Sequence, residues 1–159
     1  MYTPRPGDYG VVKTNGFFGK LIRLGTMSRW NHCFIYIGDN KLVEANPRGV
    51  AISSLSKYPL IAWNQHEGLT REQREKISSY ARSLVGKGYS FITIALLVFR
   101  ILGLKALSNM NFFINLGKKD GFICSELVAE SYSKSGMPLL NKDNSLIVPG
   151  DLAERLIYQ

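Results

Sequence analysis

The sequence predicts an α+β fold, a small antiparallel β-sheet from the first part of the chain packed against helices that follow it. Three observations carry this. Residues 32–53 hold short β-branched and aromatic runs separated by turn signals. From Thr70 onward the apolar residues recur with the period of a helix. Further along, the stretch "GFICSELVAESY" begins as an apolar run and becomes an amphipathic helix at Cys124. With 159 residues, 45% hydrophobic and 20% charged, the chain can bury a core without metal or disulfide staples. It shows no internal repeat and no low-complexity linker, and reads as one domain over residues 1–159.

Each element has a local reason. "RPGDYGVVKT" reads as a turn and then a strand carrying Tyr9, Val11 and Val12. "GFFGKLIRLGTMS" is either a short helix or an irregular covering segment, because three glycines weaken any helical pattern. His32 to Ile37 and Lys41 to Ala45 flank the turn "GDN", a hairpin signal. "NPRG" turns the chain into a further strand around Val50 to Ser53, and "YPLIAWNQ" reads as another.

The helices follow. Thr70 and Gln73 have capping-box spacing at the head of a helix with Ile77, Ala81, Leu84 and Val85 on one face. Gly86 sits where such a helix ends. "FITIALLVFRILGL", residues 91–104 with Arg100 inside, falls short of the ~20 apolar residues of a membrane span. A buried helix is expected there first and an interfacial membrane element second. "KALSNMNFFINLGKKDG" reads as a loop or broken helix leading to Cys124, whose helix should stop at Gly136 and Pro138. Pro149 opens a final short helix.

A net charge of +8 favours an acidic partner: a cell-wall polymer, an anionic lipid surface or nucleic acid. Arg5, Lys13, Lys20, Arg23 and Arg29 are opposed only by Asp8 before Asp39 is reached. A solvated basic face and a partner-binding patch account for this equally well. Nucleic acid is the weakest candidate, since no recognised binding module is present. Two cysteines make no disulfide framework, which fits a reduced compartment. No basic stretch followed by an apolar core opens the chain. Cytoplasmic synthesis is therefore expected, with any delivery to the cell envelope by another route.

The chemistry-bearing residues are few. A thiol attacks as thiolate, and a helix N-terminus together with an imidazole favours that form. Cys124 has the helix, and only His32 and His66 offer an imidazole. His66 lies in a polar connection and is expected to face solvent, whereas His32 opens the apolar strand "HCFIYIG". Strand alternation puts Leu42 and Glu44 on one face of the hairpin's return strand, and a tight turn brings Glu44 back towards His32. A carboxylate there would orient the imidazole. Singly, each residue has a plainer reading: a buried small thiol, a strand-end histidine, a solvent-facing acid. Cys33 neighbours His32 but points to the opposite face, into the core. Cys33, Cys124 and the histidines lack any zinc-ligand spacing, so no metal is expected, nor is a cofactor; a Ser125 nucleophile is conceivable, but no G-x-S-x-G elbow surrounds it.

Taken in order, "RPGD", "WNHCFIYIGDNKLVEANPRGV", "LTREQREKISSYARSLVGKGYSF", "FICSELVAESYSKSG" and "VPGDL" cover most of the chain. Together they resemble the circularly permuted branch of the NlpC-type, papain-like cysteine hydrolases, in which the histidine strand precedes the cysteine helix. The resemblance implies a small antiparallel, often barrel-like sheet packed on helices, with Cys124 as nucleophile, His32 as base and Glu44 as the orienting residue. The lecithin:retinol acyltransferase-like proteins share the histidine hairpin but commonly carry a second histidine where this chain has Glu44. Acyl transfer through a thioester follows, with the Cys124 amide as one oxyanion donor. Tyr9 and Asn31 are weak candidates for the second. An amide bond in a cell-wall peptide is the expected substrate. The alternatives are a lipid-directed acyltransferase or thioesterase at a membrane surface, and a non-catalytic binding or assembly module that keeps the fold.

Overall fold

The computed structural model describes residues 2–16, 19–20, 22–23, 28–65, 68–91 and 121–157. Five strands, β1 (Tyr9–Val12), β2 (His32–Gly38), β3 (Lys41–Asn46), β4 (Gly49–Ser54) and β5 (Ala62–Trp63), precede the helices α1 (Arg71–Ser83), α2 (Cys124–Lys134) and α3 (Pro149–Ile157). Single 3₁₀ turns lie at Leu55–Lys57 and Asn144–Leu146. The strands form one antiparallel sheet in the order β4-β3-β2-β1-β5. It is open, with β4 and β5 at its edges, rather than closed into a barrel. The architecture is α+β and consistent with a small papain-like fold.

The hairpin forms as the sequence predicts. Asp39 and Asn40 both take positive φ, 51° and 57°, the twist that lets a two-residue turn join right-handed strands. Alternation then divides the sheet into two faces. Tyr9, Val11, Cys33, Ile35, Val43 and Ala45 pack on the helices, against Ile77 and Ala81 of α1, Leu127, Val128 and Tyr132 of α2, and Leu152 of α3. The opposite face carries Val12, Phe34 and Leu42, covered by Leu55, Tyr58, Ile61 and Trp63 from the chain that returns over it. Gly10 permits that return, since a Cβ there would lie 2.7 Å from both Ile61 and the Phe34 ring.

Helix α1 starts on its capping box: the Gln73 amide donates to Thr70 Oγ1 at 3.2 Å and the Thr70 amide to Gln73 Oε1 at 2.9 Å. Ile77, Ala81 and Leu84 are buried, but Val85 is 42% exposed. The helix ends at Ser83 with Leu84 as its cap, so Val85 has left the helical phase. Arg74 is buried instead, paired with Asp8 at 2.7 Å. Gly86, at φ 90°, turns the chain so that its amide donates to Val50 and the Val50 amide to Lys87. This docks the end of the helix on β4.

The strand expected from "YPLIAWNQ" is only Ala62–Trp63, paired with Gly10 and Val11. Of the glycine-rich segment, Gly19, Lys20, Ile22 and Arg23 are helical. Residues 92–120, which hold most of the apolar stretch, and His66 lie outside the described residues. Among the described residues no helix is long and apolar enough to cross a membrane.

Candidate active site

Cys124 is the first residue of α2, capped by Ile123 without any side-chain hydrogen bond. Leu127, Val128 and Tyr132 of the same helix are fully buried, so the helix is anchored by its far side and presents its N-terminus at the end of β2. His32 opens β2 and Glu44 sits in the middle of β3, on the face that strand alternation assigned it. The imidazole Nε2 is 2.6 Å from Glu44 Oε2, and the His32 side chain is close enough to Cys124 for each to shift the other's titration. All three line one cleft of about 270 Å³, together with Thr14, Asn31, Lys57, Tyr58 and Tyr89.

Glu44 has no exposed surface, yet its carboxylate accepts four hydrogen bonds. His32 and the Tyr58 hydroxyl (2.5 Å) share Oε2, while the Ser53 hydroxyl and Lys57 ammonium, each at 2.6 Å, share Oε1. Burial raises a carboxylate's pKa. Here the hydrogen bond and charge of His32, then Lys57 and Ser53, overcome burial and hold Glu44 far below the usual carboxylate range. For His32, burial lowers the pKa, but hydrogen bonds to Cys124 and Glu44 and their charges push it up to about 9. On Cys124 the Cys33 thiol hydrogen bond acts most strongly; burial opposes it, and His32 adds to it, leaving the thiol well below its ordinary value. These shifts all favour a row of thiolate, imidazolium and carboxylate at a helix N-terminus, where the dipole also favours the thiolate.

Cys33 is buried on the helix-covered face, as expected for a core residue. Because α2 packs on that face, its thiol nonetheless meets Cys124, and burial followed by this contact pushes its own pKa up. Adjacent residues of β2 thus approach Cys124 from two directions.

The structure does not bring Tyr9 to the cleft. Its ring packs edge-on against Tyr132 and its hydroxyl donates to the Leu152 carbonyl at 3.1 Å, which commits it to the core. Asn31 does line the cleft, but its side-chain amide holds the Thr14 segment: Oδ1 accepts from the Thr14 amide at 2.8 Å, and Nδ2 donates to the Thr14 carbonyl and hydroxyl. It braces the wall rather than offering a spare donor. Ser125 is buried with its hydroxyl donating to the Ile147 carbonyl at 2.5 Å, away from the cleft. Tyr58, Lys57 and Ser53 escape the sequence reading. The one signal available was Ser53, a polar residue directly across from Leu42 on the Glu44 side of the sheet. Among the described residues no group of three or more His, Cys, Asp or Glu could hold a metal ion.

Comparison with known proteins places the chain in company. No family model matches it. It is 26% identical over 171 aligned positions to the probable lipoprotein peptidase YaeF of Escherichia coli (strain K12), an alignment that takes in 93% of this chain. The chain spans only 62% of the length of that relative. Among solved structures it is similar to the metalloprotein yiiX from Escherichia coli O157:H7, with a TM-score of 0.61 at 21% identity over 87% of this chain and 70% of that one. The latter likeness is one of fold.

Proposed function

We propose that the protein is a cysteine hydrolase that cleaves an amide bond through a thioester, with a peptide of the cell wall as its substrate. The observation that carries this reading is the row Cys124–His32–Glu44 in one cleft, with the thiol at a helix N-terminus. The peptidase name of the YaeF relative supports the hydrolase class. The order of the parts, histidine hairpin before cysteine helix, supports a permuted member of the NlpC-type hydrolases. Glu44 in place of a second histidine favours that group over the lecithin:retinol acyltransferase-like one.

In this reading the Cys124 thiolate attacks the carbonyl carbon and the carbonyl oxygen becomes an oxyanion. The amide of Cys124, a first-turn helix position without an intrahelical acceptor, faces that charge. As the C–N bond breaks, the His32 imidazolium gives its proton to the leaving amine. A water then loses a proton to His32 and attacks the thioester, the C–S bond breaks, and Cys124 leaves as thiolate. Glu44 stays an anion throughout and holds the ring. The surplus of positive charge suits an anionic polymer brought to the cleft, and envelope delivery would put the protein beside it.

The test is turnover of a panel of wall peptides, acyl-lipids and lipopeptides, each compared with Cys124→Ala. Amine release from the wall peptides, abolished in the variant, is the expected result. Turnover of acyl-lipid esters alone would replace this reading with the lipid-directed one, and no Cys124-dependent turnover would favour a binding module.

A further inference from the structure

We propose that Tyr58 is a positioning residue of this site, fixing the carboxylate of Glu44 beneath His32 and setting how strongly that carboxylate draws on the imidazole proton. The inference rests on the nucleophile–base reading above and adds a residue that the motif resemblance does not contain.

The geometry is specific. Tyr58 donates to Oε2 at 2.5 Å, and that same oxygen takes His32 Nε2 at 2.6 Å. The other two donors, Ser53 and Lys57, use Oε1. Tyr58 thus competes directly with the imidazole for one oxygen. Its ring is held from behind, stacked on Phe34 at a centroid distance of 5.4 Å and an interplanar angle of 9°, and it lies 5.8 Å from the His32 ring. The phenol therefore braces two members of the row at once. Lys57, whose ammonium lies 5.2 Å from the centre of the Tyr58 ring, closes the outer side with half of its side chain in solvent.

The chemical need is clear from the burial. A bare carboxylate without solvent would compete with His32 for the proton, and a proton on Glu44 would leave the thiolate without its cation. Four donors spread the carboxylate charge, so the proton stays on the imidazole. Tyr58 is the donor on the oxygen that matters. Burial and then the carboxylate keep its own pKa far above the ordinary phenol value, so it donates across the working pH range. The groups that face His32 and Glu44 are Cys124 from α2, Ser53 from β4, Lys57 and Tyr58 from the turn after it, and Tyr89 across the cleft, while Cys33 on the other face of β2 acts on Cys124.

Tyr58→Phe keeps the stack on Phe34 and removes only the hydroxyl. With one competitor gone, Oε2 binds the imidazolium more tightly. The His32 titration midpoint, read by NMR of ¹⁵N-labelled histidine in a background lacking His66, should move upward by about half a unit or more. A residue that merely props the wall would let the ring loosen and move the midpoint down, towards 6.5. A midpoint that stays or falls in Tyr58→Phe overturns the inference while Cys124 remains faster to alkylate than Cys33. If Cys124 is no faster than Cys33 in the unmutated protein, the underlying reading fails instead, and this role with it. The unmutated protein offers a second measurement that does not depend on the variant folding. A Tyr58 hydroxyl proton shielded from exchange and shifted downfield, and lost from that position in Glu44→Gln, supports the contact; one exchanging freely with water overturns it.

Discussion

Glu44→Gln tests the row at its base. The substitution keeps the size of the side chain and removes its charge. The amide oxygen can still accept from His32, but a neutral acceptor stabilises an imidazolium far less than a carboxylate. The contact is 2.6 Å long, Glu44 is fully buried and His32 is 12% exposed, so solvent screens little of it. A hydrogen bond to a charged group in such a setting is worth about 1.5–3 kcal/mol, and at about 1.4 kcal/mol per pKa unit this corresponds to roughly one to two units. The loss falls on the thiolate–imidazolium pair, so the Cys124 pKa should rise by that amount. The assay is the rate of iodoacetamide alkylation of the Cys124 peptide as a function of pH, followed by mass spectrometry with Cys33 as internal reference. In the unmutated protein the rate should hold its plateau well below the ordinary thiol range, and in Glu44→Gln the acid-side midpoint should move up. A midpoint that does not move would show that Glu44 is uncoupled from the thiol, and the reasoning from the row would fail.

Other outcomes follow from the same structure. Asp8→Ala removes the acceptor of Arg74 (2.7 Å), the Tyr2 hydroxyl and the Arg5 amide from a site where Asp8 is fully buried and Arg74 nearly so. Taking the carboxylate away from the buried guanidinium should cost about 3–5 kcal/mol in urea unfolding, and a loss under about 1 kcal/mol would mean the pair is solvated. Ser125→Ala should cost about 1 kcal/mol, from the Ile147 carbonyl it leaves behind, with the Cys124 alkylation profile unchanged; an altered profile would bring Ser125 into the chemistry. For pH dependence, His32 is raised from 6.5 to about 9, so its stabilisation is complete below pH 6.5 and lost as pH rises through about 9. Cys124 is depressed, so its stabilisation is complete only above the ordinary thiol value and lost as pH falls. Between these limits the two slopes oppose, and urea midpoints should be nearly flat. Cys124→Ala removes the first of the contacts that raise His32, so the His32 midpoint should fall from about 9 towards 6.5 and the decline in stability should begin at lower pH; a midpoint unchanged in that variant would refute the shared proton.

What the sequence revealed was whatever depends on near neighbours. Asp39 and Asn40 in a two-residue turn, Thr70 and Gln73 in a capping box, and Gly136 at φ 81° beyond α2 are settled within a few residues of chain. Glu44 on its proper face follows from alternation alone. The errors come where the third dimension decides. Tyr9 alternates to the helix-covered face and is consumed by Tyr132 and Leu152, residues more than a hundred positions away. Asn31 adjoins the base in sequence, but its amide is taken by Thr14 from across the sheet end. Lys57 and Tyr58 lie in a 3₁₀ turn and its cap, a place with no periodicity to mark a functional side chain.

The division of labour in this fold explains why so short a hairpin holds both base and acid. Opposite faces of a strand cannot both touch a helix packed on one of them, except at the strand's end. His32 occupies that end, paired with Val12, the last residue of β1, so its ring can reach round to Cys124 while still facing Glu44. Cys33, one residue on, meets Cys124 from within the core. Had the histidine stood at position 34, the sheet itself would separate it from the thiol, and Phe34 is indeed sealed under Tyr58 and Trp63. The acid has the opposite requirement: it must be permanently charged yet fixed, which a strand interior provides only if donors replace water. The chain supplies those donors by pairing β4 beside β3, which puts Ser53 on the same face, and by folding the turn after it over that face, so that Ser53, Lys57 and Tyr58 arrive together. The end of the central strand therefore lets the base reach the thiol, and the interior of β3 keeps the acid fixed.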